Sequence, residues 1–392
     1  MNDLSNPPVS PLIAEGSGLP VDDQTLVRKL IKAEEDLIRG LPSDSARDPK
    51  RRKRVGATAV EIEDQPQCIA KTLASNANTI TEVAVRLAAS KPTRLVLTGC
   101  GDSLACHIGM RLYWEQATGL PCLAVQALEL AYYPGAYVDD TTIVLALSSS
   151  GSTPRTVEAL LNARENGATT IALTNTPTSP IADMADATVL ISAQRVGWPT
   201  QASTAAMAAE AQIAEALGKA LGRTPMPDAL TPARMEAFVS DTLSNTCEAA
   251  TAVGKALSGA PLVHLCGGGP GMACAMFGAA KIKECTSGHA IAHPLEEVHH
   301  YTTTKLGETM IVIAPDGPSR ARALDTLRQV RAWGGKTVGI LAAGDSELAG
   351  QCDTAIFVPQ TPELFAAQSF TIPLHYIALA MAMGEFERAD NG

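Results

Sequence analysis

The sequence predicts an α/β protein made of two tandem doubly wound domains, each a parallel sheet flanked by helices. Three observations carry this. Short apolar runs of strand length alternate with helical stretches, the pattern of parallel strands covered on both faces. Turns rich in glycine or serine follow several of these runs. The order of elements then begins again near residue 232, so two units share one plan, and ligands are expected beyond the carboxyl ends of the strands.

Composition sets the outer limits. With 392 residues, 46% of them hydrophobic, the chain can bury a sizeable core in two or three units, and the internal repeat favours two. The net charge of -10 disfavours a nucleic-acid surface, which needs clustered Lys and Arg, and points to a small-molecule partner. Nine cysteines with no CxxC pair fit reduced thiols and a cytoplasmic setting. Met1 to Pro20 lacks the pattern of a signal peptide, and no run approaches the roughly 20 apolar residues of a membrane span, so a soluble protein with no membrane partner is expected.

Residues 1–58 read as a mobile arm with one helical stretch, Leu26 to Leu37, and the basic run Lys50-Arg51-Arg52-Lys53-Arg54, expected to be a solvated charge cluster. The first domain spans 59–224. Ile69, Leu73, Ile80, Val83 and Leu87 recur at helical spacing and predict a long leading helix. Strand Arg94 to Thr98 runs into Gly99-Cys100-Gly101-Asp102-Ser103 and a helix. The apolar runs Cys122 to Val125, Ile143 to Leu147, Thr170 to Leu173 and Ala187 to Ile191 come next, and a helix from Ser203 to Leu221 closes this half.

Thr224-Pro225-Met226-Pro227-Asp228 reads as a linker, and the second domain spans 225–392. It repeats the plan with helix Pro232 to Leu257, strand Pro261 to Leu265 and the turn Cys266 to Gly271. Strand Thr309 to Ala314, helix Arg320 to Trp333 and strands Thr337 to Leu341 and Thr354 to Val358 complete it. The glycines 267–271 miss the Gly-x-Gly-x-x-Gly register, and no acidic residue is placed for a ribose, so no cofactor is expected.

One loop stands out. Ile143 to Leu147 ends in Ser148-Ser149-Ser150-Gly151-Ser152-Thr153, and Pro154 opens a helix. Hydroxyls around a helix N-terminus suit an anion, and without a lysine the loop is not a nucleotide P-loop. A single phosphate on a small molecule is one reading, and a serine-rich turn that merely caps its helix is the other.

The second half concentrates titratable groups: Lys281-Ile282-Lys283-Glu284, then His289, His293, Glu296, Glu297, His299 and His300. A metal site is one explanation, weakened by the absence of His-Glu-x-x-His. Acid–base work is a second, with Glu284 at the end of an apolar helix face. A third makes Glu284 a surface carboxylate paired with Lys281 or Lys283, and His299 and His300 a pair of solvated or hydrogen-bonded loop residues.

Taken together, Glu61 to Pro66, Gly101 to Ser103, Leu147 to Thr153, Ala202 to Thr204 and Lys281 to Glu284 resemble the double sugar-isomerase (SIS) domain family. The likeness is greatest to the isomerase half of glucosamine-6-phosphate synthases and runs from about Glu61 to Gly384. The resemblance implies that Ser103, Ser148, Ser149, Ser150 and Thr153 hold a sugar phosphate, with Ser203 on the ligand loop. It implies that Glu284 moves a proton between C1 and C2. It also implies that His300, sixteen residues on, serves ring opening across the interface of a homodimer.

Several departures accompany the likeness. The short arm before Glu61 carries no glutaminase domain, so no supply of ammonia from glutamine is implied. The chain stops at Gly392 without the family's lysine-bearing tail, His300-Tyr301-Thr302 replaces His-Gly-Pro, and Ala205 stands where a lysine often follows Ser-Thr. The implied function is an aldose–ketose isomerase, or a deaminase or deglycase, acting on a phosphorylated sugar or amino sugar without metal or cofactor. A non-catalytic sugar-phosphate-binding regulator is the alternative, and the presence of both Glu284 and His300 favours an enzyme.

Overall fold

The computed structural model describes residues 10–14, 17–133, 135–226 and 231–392. Within the linker read from sequence, Pro227 and Asp228 lie outside these residues, as does much of the Met1 to Pro20 stretch. Helices of ten residues or more are numbered α1 (Val21–Gly40), α2 (Pro49–Glu63), α3 (Gln65–Ala89), α4 (Asp102–Thr118), α5 (Pro154–Glu165), α6 (Gln201–Ala220), α7 (Pro232–Leu257), α8 (Pro270–Cys285), α9 (Arg320–Ala332) and α10 (Ile372–Asn391). The strands are β1 (Arg94–Gly99), β2 (Cys122–Gln126), β3 (Thr142–Leu147), β4 (Thr169–Thr174), β5 (Ala187–Leu190), β6 (Leu262–Gly267), β7 (His289–Pro294), β8 (Thr309–Ala314), β9 (Lys336–Ala342) and β10 (Thr354–Val358).

Two compact units form. One comprises the described residues of Met1–Leu41, Arg86–Leu104 and Leu120–Leu190, and the other Pro42–Val85, Ala105–Gly119 and Ile191–Gly392. The division is not a simple cut of the chain, because residues 42–85 and 105–119 join the second unit.

Each unit holds one five-stranded, wholly parallel sheet, in the orders β2-β1-β3-β4-β5 and β10-β9-β8-β6-β7. Counted within its own half, the second order is the first one again. The central strands are covered on both faces: every residue of Thr-Ile-Val-Leu-Ala-Leu in β3 and Thr-Met-Ile-Val-Ile-Ala in β8 is buried.

The repeat extends to polar detail. Asp186 accepts from the backbone N and Oγ1 of Thr170, each at 2.9 Å, and its own N donates back to Thr170 Oγ1 at 3.1 Å. Asp353 does the same for Thr337, at 2.7, 3.1 and 3.1 Å, across the same interval of 16 residues. Gly99 at the end of β1 is a glycine for packing reasons, since a Cβ there would lie 2.6 Å from Ser103 Cβ and 2.9 Å from the Leu147 carbonyl oxygen.

Two expectations are corrected. Within the stretch read as a mobile arm, α1 is docked: it buries Val27 and Leu30 in a cluster with Val157, Leu160 and Leu161 of α5. The basic run is not a solvated cluster either. It lies in α2, where Arg51 is buried and Arg52 donates bidentately to Asp390 at 3.0 and 2.7 Å. The histidine-rich stretch after α8, which the sequence does not mark as a strand, contains the edge strand β7 at His289–Pro294.

The C-terminal stretch Glu363–Asn391 is long and apolar enough to cross a membrane, yet 89% of its most apolar window is buried inside the protein. It is a core helix packed on α7 and α8. All nine cysteines carry free thiols, and burial pushes those of Cys68, Cys266, Cys274 and Cys285 up to about 12, which leaves them protonated and inert.

Candidate functional site

In the first unit the serine loop is folded on itself. Ser148 Oγ lies 3.0 Å from Thr153 Oγ1 and 3.5 Å from Ser150 Oγ, and it accepts from Gly151 N at 3.1 Å. Ser150 Oγ accepts from Ser152 N at 3.3 Å. Three of the hydroxyls named from sequence therefore converge. Ser149 turns away and donates to Asn175 Oδ1 at 2.9 Å.

The turn needs its glycine: Gly151 has φ +65°, and a Cβ there would fall 2.0 Å from Ser179 Oγ. Thr153 occupies the N-cap position of α5 but makes no side-chain capping bond, since its hydroxyl faces Ser148 instead. The hydroxyls thus serve the loop rather than the helix end, and they stand where the helix dipole favours an anion. Ser103, also in this unit, begins the first turn of α4, with its N donating to the Cys100 carbonyl at 3.1 Å.

In the second unit α8 presents Glu284. Its carboxylate is 29% exposed and accepts from Lys281 Nζ, whose side chain is 1% exposed. Small residues let the helix settle deeply: a Cβ on Gly278 would be 2.6 Å from Leu265 Cδ2 of β6. Glu284 is partly buried and is paired with Lys281, the lysine that the third alternative named. A half-desolvated carboxylate held by a buried ammonium has the chemistry of a general base.

The sequence reading missed the standing of Lys281. Its signal was there, in a lysine three residues before Glu284 on the face that carries Cys274, Gly278 and Cys285. Beside it, His375 of α10 is fully buried, and both of its ring nitrogens lack a hydrogen-bond partner. Burial first, and the Lys281 charge second, push its pKa down to about 3, so this imidazole is neutral.

The other histidines disperse. His293 Nε2 meets His264 Nδ1 at 3.0 Å, and His264 Nε2 meets Glu308 Oε2 at 3.2 Å. His299 is held by Gln329 Oε1 at 3.1 Å and Thr326 Oγ1 at 2.8 Å. His300 is 61% exposed, 3.5 Å from Glu296 Oε1. Among the described residues, no group of three or more His, Cys, Asp and Glu side chains is arranged to hold a metal ion. Ser203, in the first turn of α6, is buried, with its N donating to the Thr200 carbonyl at 3.1 Å and its carbonyl accepting from Cys106 Sγ at 3.6 Å.

The profile of the SIS domain matches residues 87–218 and 257–383, one segment in each half. The chain belongs to the SIS domain family.

Among curated SIS proteins it is similar to a glutamine–fructose-6-phosphate aminotransferase (isomerizing) of Thermus thermophilus, with 27% identity over 334 residues. That alignment covers 82% of this chain and 55% of the relative, so the chain spans about half the length of the curated relatives it matches. Among solved structures it is similar in fold to the C-terminal domain of glucosamine-fructose-6-phosphate aminotransferase from Francisella tularensis. The TM-score is 0.70 and the identity 20%, covering 84% of this chain and 96% of that one. It is also similar in fold to glucosamine-6-phosphate deaminase from Thermotoga maritima, with a TM-score of 0.64, 15% identity and coverage of 83% and 94%. Two SIS domains, each built on a parallel sheet, thus stand as the sequence predicted, and the second sheet has in β7 a strand more than the sequence marked.

Proposed function

We propose that this SIS protein is an enzyme that moves a proton between C1 and C2 of a phosphorylated sugar or amino sugar, as an aldose–ketose isomerase or as a deaminase or deglycase. The observation that carries the reading is the partly buried Glu284 carboxylate held by the buried Lys281 ammonium. In the isomerase case the carboxylate takes the C2 proton of the open-chain aldose while O1 gains a proton, giving a C1–C2 enediol, and the carboxylate then returns its proton to C1 while O2 gives one up, leaving the ketose. In the deaminase case the same transfer converts the 2-amino aldose to a C2 imine, and water then releases ammonia and the ketose.

Ser148, Ser150 and Thr153 hold the phosphate in this reading, with Ser103, Ser149 and Ser203 as further ligand contacts. His300 assists ring opening across a homodimer interface in the cytoplasm. The names of the similar proteins supply the first compounds to try, fructose 6-phosphate and glucosamine 6-phosphate.

The test is solvent exchange. In deuterium oxide the parent protein is expected to exchange the proton next to the carbonyl of one of these compounds or a relative of it. Positioned bases contribute about 10²–10⁴-fold, and Glu284→Gln should lose that factor while still binding the ligand. Exchange by the Gln variant at the parent's rate would overturn Glu284 as the base.

A further inference from the structure

Resting on the reading of Glu284 as the base, we infer that Arg54, with Arg195 and Trp198, forms a binding place for a second acidic group of the substrate. The sugar phosphate it serves then carries a carboxylate a few bonds beyond the reacting C1–C2 pair.

On α2, Arg51 and Arg54 stand three residues apart, on one helix face. Arg51 Nε and Nη2 donate to the carbonyl of Cys285, the residue after Glu284, at 3.2 and 2.7 Å. This fixes the face of α2 against the end of α8 and puts Arg54 one helical turn further on. The Arg54 guanidinium lies within the field of the Glu284 carboxylate and of Arg195.

The segment before α6 is pinned to α2 and α3 through its backbone. Val196 N and Gly197 N donate to Glu61 Oε1 at 2.8 and 2.9 Å, and Trp198 N donates to Thr58 Oγ1 at 2.8 Å. Cys68 Sγ of α3 donates to the carbonyls of Ser192 and Gln201 at 3.6 and 3.7 Å. The approach is so close that a Cβ on Gly197 would sit 2.5 Å from Thr58 N.

The side chains of this pinned segment are treated in the opposite way. Arg54 Nε, Trp198 Nε1, Thr200 Oγ1 and Gln201 Nε2 are all buried without a hydrogen-bond partner, although Thr200 is 0% and Gln201 3% exposed. Arg54 stacks 3.5 Å over the Trp198 ring. Three of these four atoms can only donate. Each buried donor left unmade is costly, the charged one most of all, so the group that fits here is rich in acceptors and negatively charged.

Charge points the same way. Burial lowers the guanidinium pKa of Arg54, yet an arginine does not shed its proton near neutral pH, so its charge stays, partly offset by Glu284 and Glu61 and opposed by the exposed Arg195. A planar carboxylate matches the guanidinium fork and offsets the repulsion. The phosphate, in the reading above, is held by the serine loop.

A matched pair of probes tests this: N-succinyl-glucosamine 6-phosphate, whose nitrogen substituent ends in a carboxylate, and N-butyryl-glucosamine 6-phosphate, which ends in a methyl. Calorimetric titration of the full chain should show the succinyl compound binding at least tenfold tighter. Arg54→Gln should bring the ratio of the two affinities close to one, and Arg195→Gln should lower it. Arg54→Lys, which keeps charge and stem, serves if the Gln variant melts early, and should give an intermediate ratio. Equal affinities in the parent, or an undiminished ratio in the folded variants, overturn the carboxylate place and leave Glu284 untouched. Failure of both probes to bind, together with no proton exchange on any sugar phosphate, overturns the functional reading and this inference with it.

Discussion

The guanidinium of Arg51 and the carboxylate of Glu385 form a buried ion pair that joins α2 to α10 across 334 residues of sequence. Its remaining bonding capacity is used. Arg51 also donates to the carbonyls of Asp44 and Cys285, and Glu385 accepts from Ser287 N and Oγ, each at 3.0 Å. Removing one partner leaves the other charge buried and uncompensated, a loss of about 3–5 kcal/mol. Glu385→Ala is therefore expected to lower the urea midpoint sharply, and Arg51→Met with Glu385→Leu should recover part of the loss. An unchanged midpoint in Glu385→Ala would show that the pair contributes no net stability.

The serine loop gives the second prediction. Ser148 Oγ sits between Thr153, Ser150 and Gly151 N, so replacing Ser148 and Ser150 by Ala removes the centre of the hydroxyl cluster. If these hydroxyls hold a phosphate, two bonds to a charged group are lost, each worth about 1.5–3 kcal/mol. Affinity for the phosphorylated sugar should fall by at least a hundredfold with the melting temperature little changed, as read by titration calorimetry beside a thermal scan.

Lys281 gives the third. Its buried Nζ holds the Glu284 carboxylate, and misplacing a reacting group by about 1 Å costs on the order of 10²-fold in rate. Lys281→Met, which keeps the apolar stem, should lower kcat by at least this much and leave KM nearly unmoved. A loss confined to KM would mean that Lys281 binds substrate rather than holding the base.

His375 makes acid stability predictable. Its folded pKa of about 3 lies below the ordinary value of 6.5, so the unfolded chain binds a proton that the folded chain refuses. Stability from this group is complete above about pH 6.5 and is lost as pH falls toward 3, amounting to about 2 kcal/mol by pH 5. His375→Gln removes the titration, so its urea midpoint should fall less between pH 7.5 and pH 5 than the parent's. Parallel pH profiles would show that His375 is not the group responsible.

Much of this was legible in the sequence. Strands β8 and β10 and helix α7 occupy the runs that hydrophobic periodicity marked, because a strand covered on both faces has few ways to be polar. The serine loop was legible for the same reason, as hydroxyls at the end of an unbroken apolar run. The features that periodicity missed depend on distant partners. Arg51 and Arg52 look like surface charge until Glu385 and Asp390, more than 330 residues away, are folded onto them. His289–Pro294 does not read as a strand because its histidines and proline break the apolar run, which an edge strand pairing on one side only tolerates. Lys281 looks solvated until α8 is packed against the sheet.

The matched staples of Thr170 with Asp186 and Thr337 with Asp353 bear on ligand count. Both halves kept that carboxylate at the start of the strand, while the turns beyond the neighbouring strand diverged: Leu147 leads into Ser148-Ser149-Ser150, whereas Ala314 leads into Pro315-Asp316-Gly317. An aspartate repels the anion that a serine cradle attracts. In the reading proposed above, the shared frame carries a phosphate place in one copy only, so one phosphorylated molecule per chain, not two, is the expected stoichiometry.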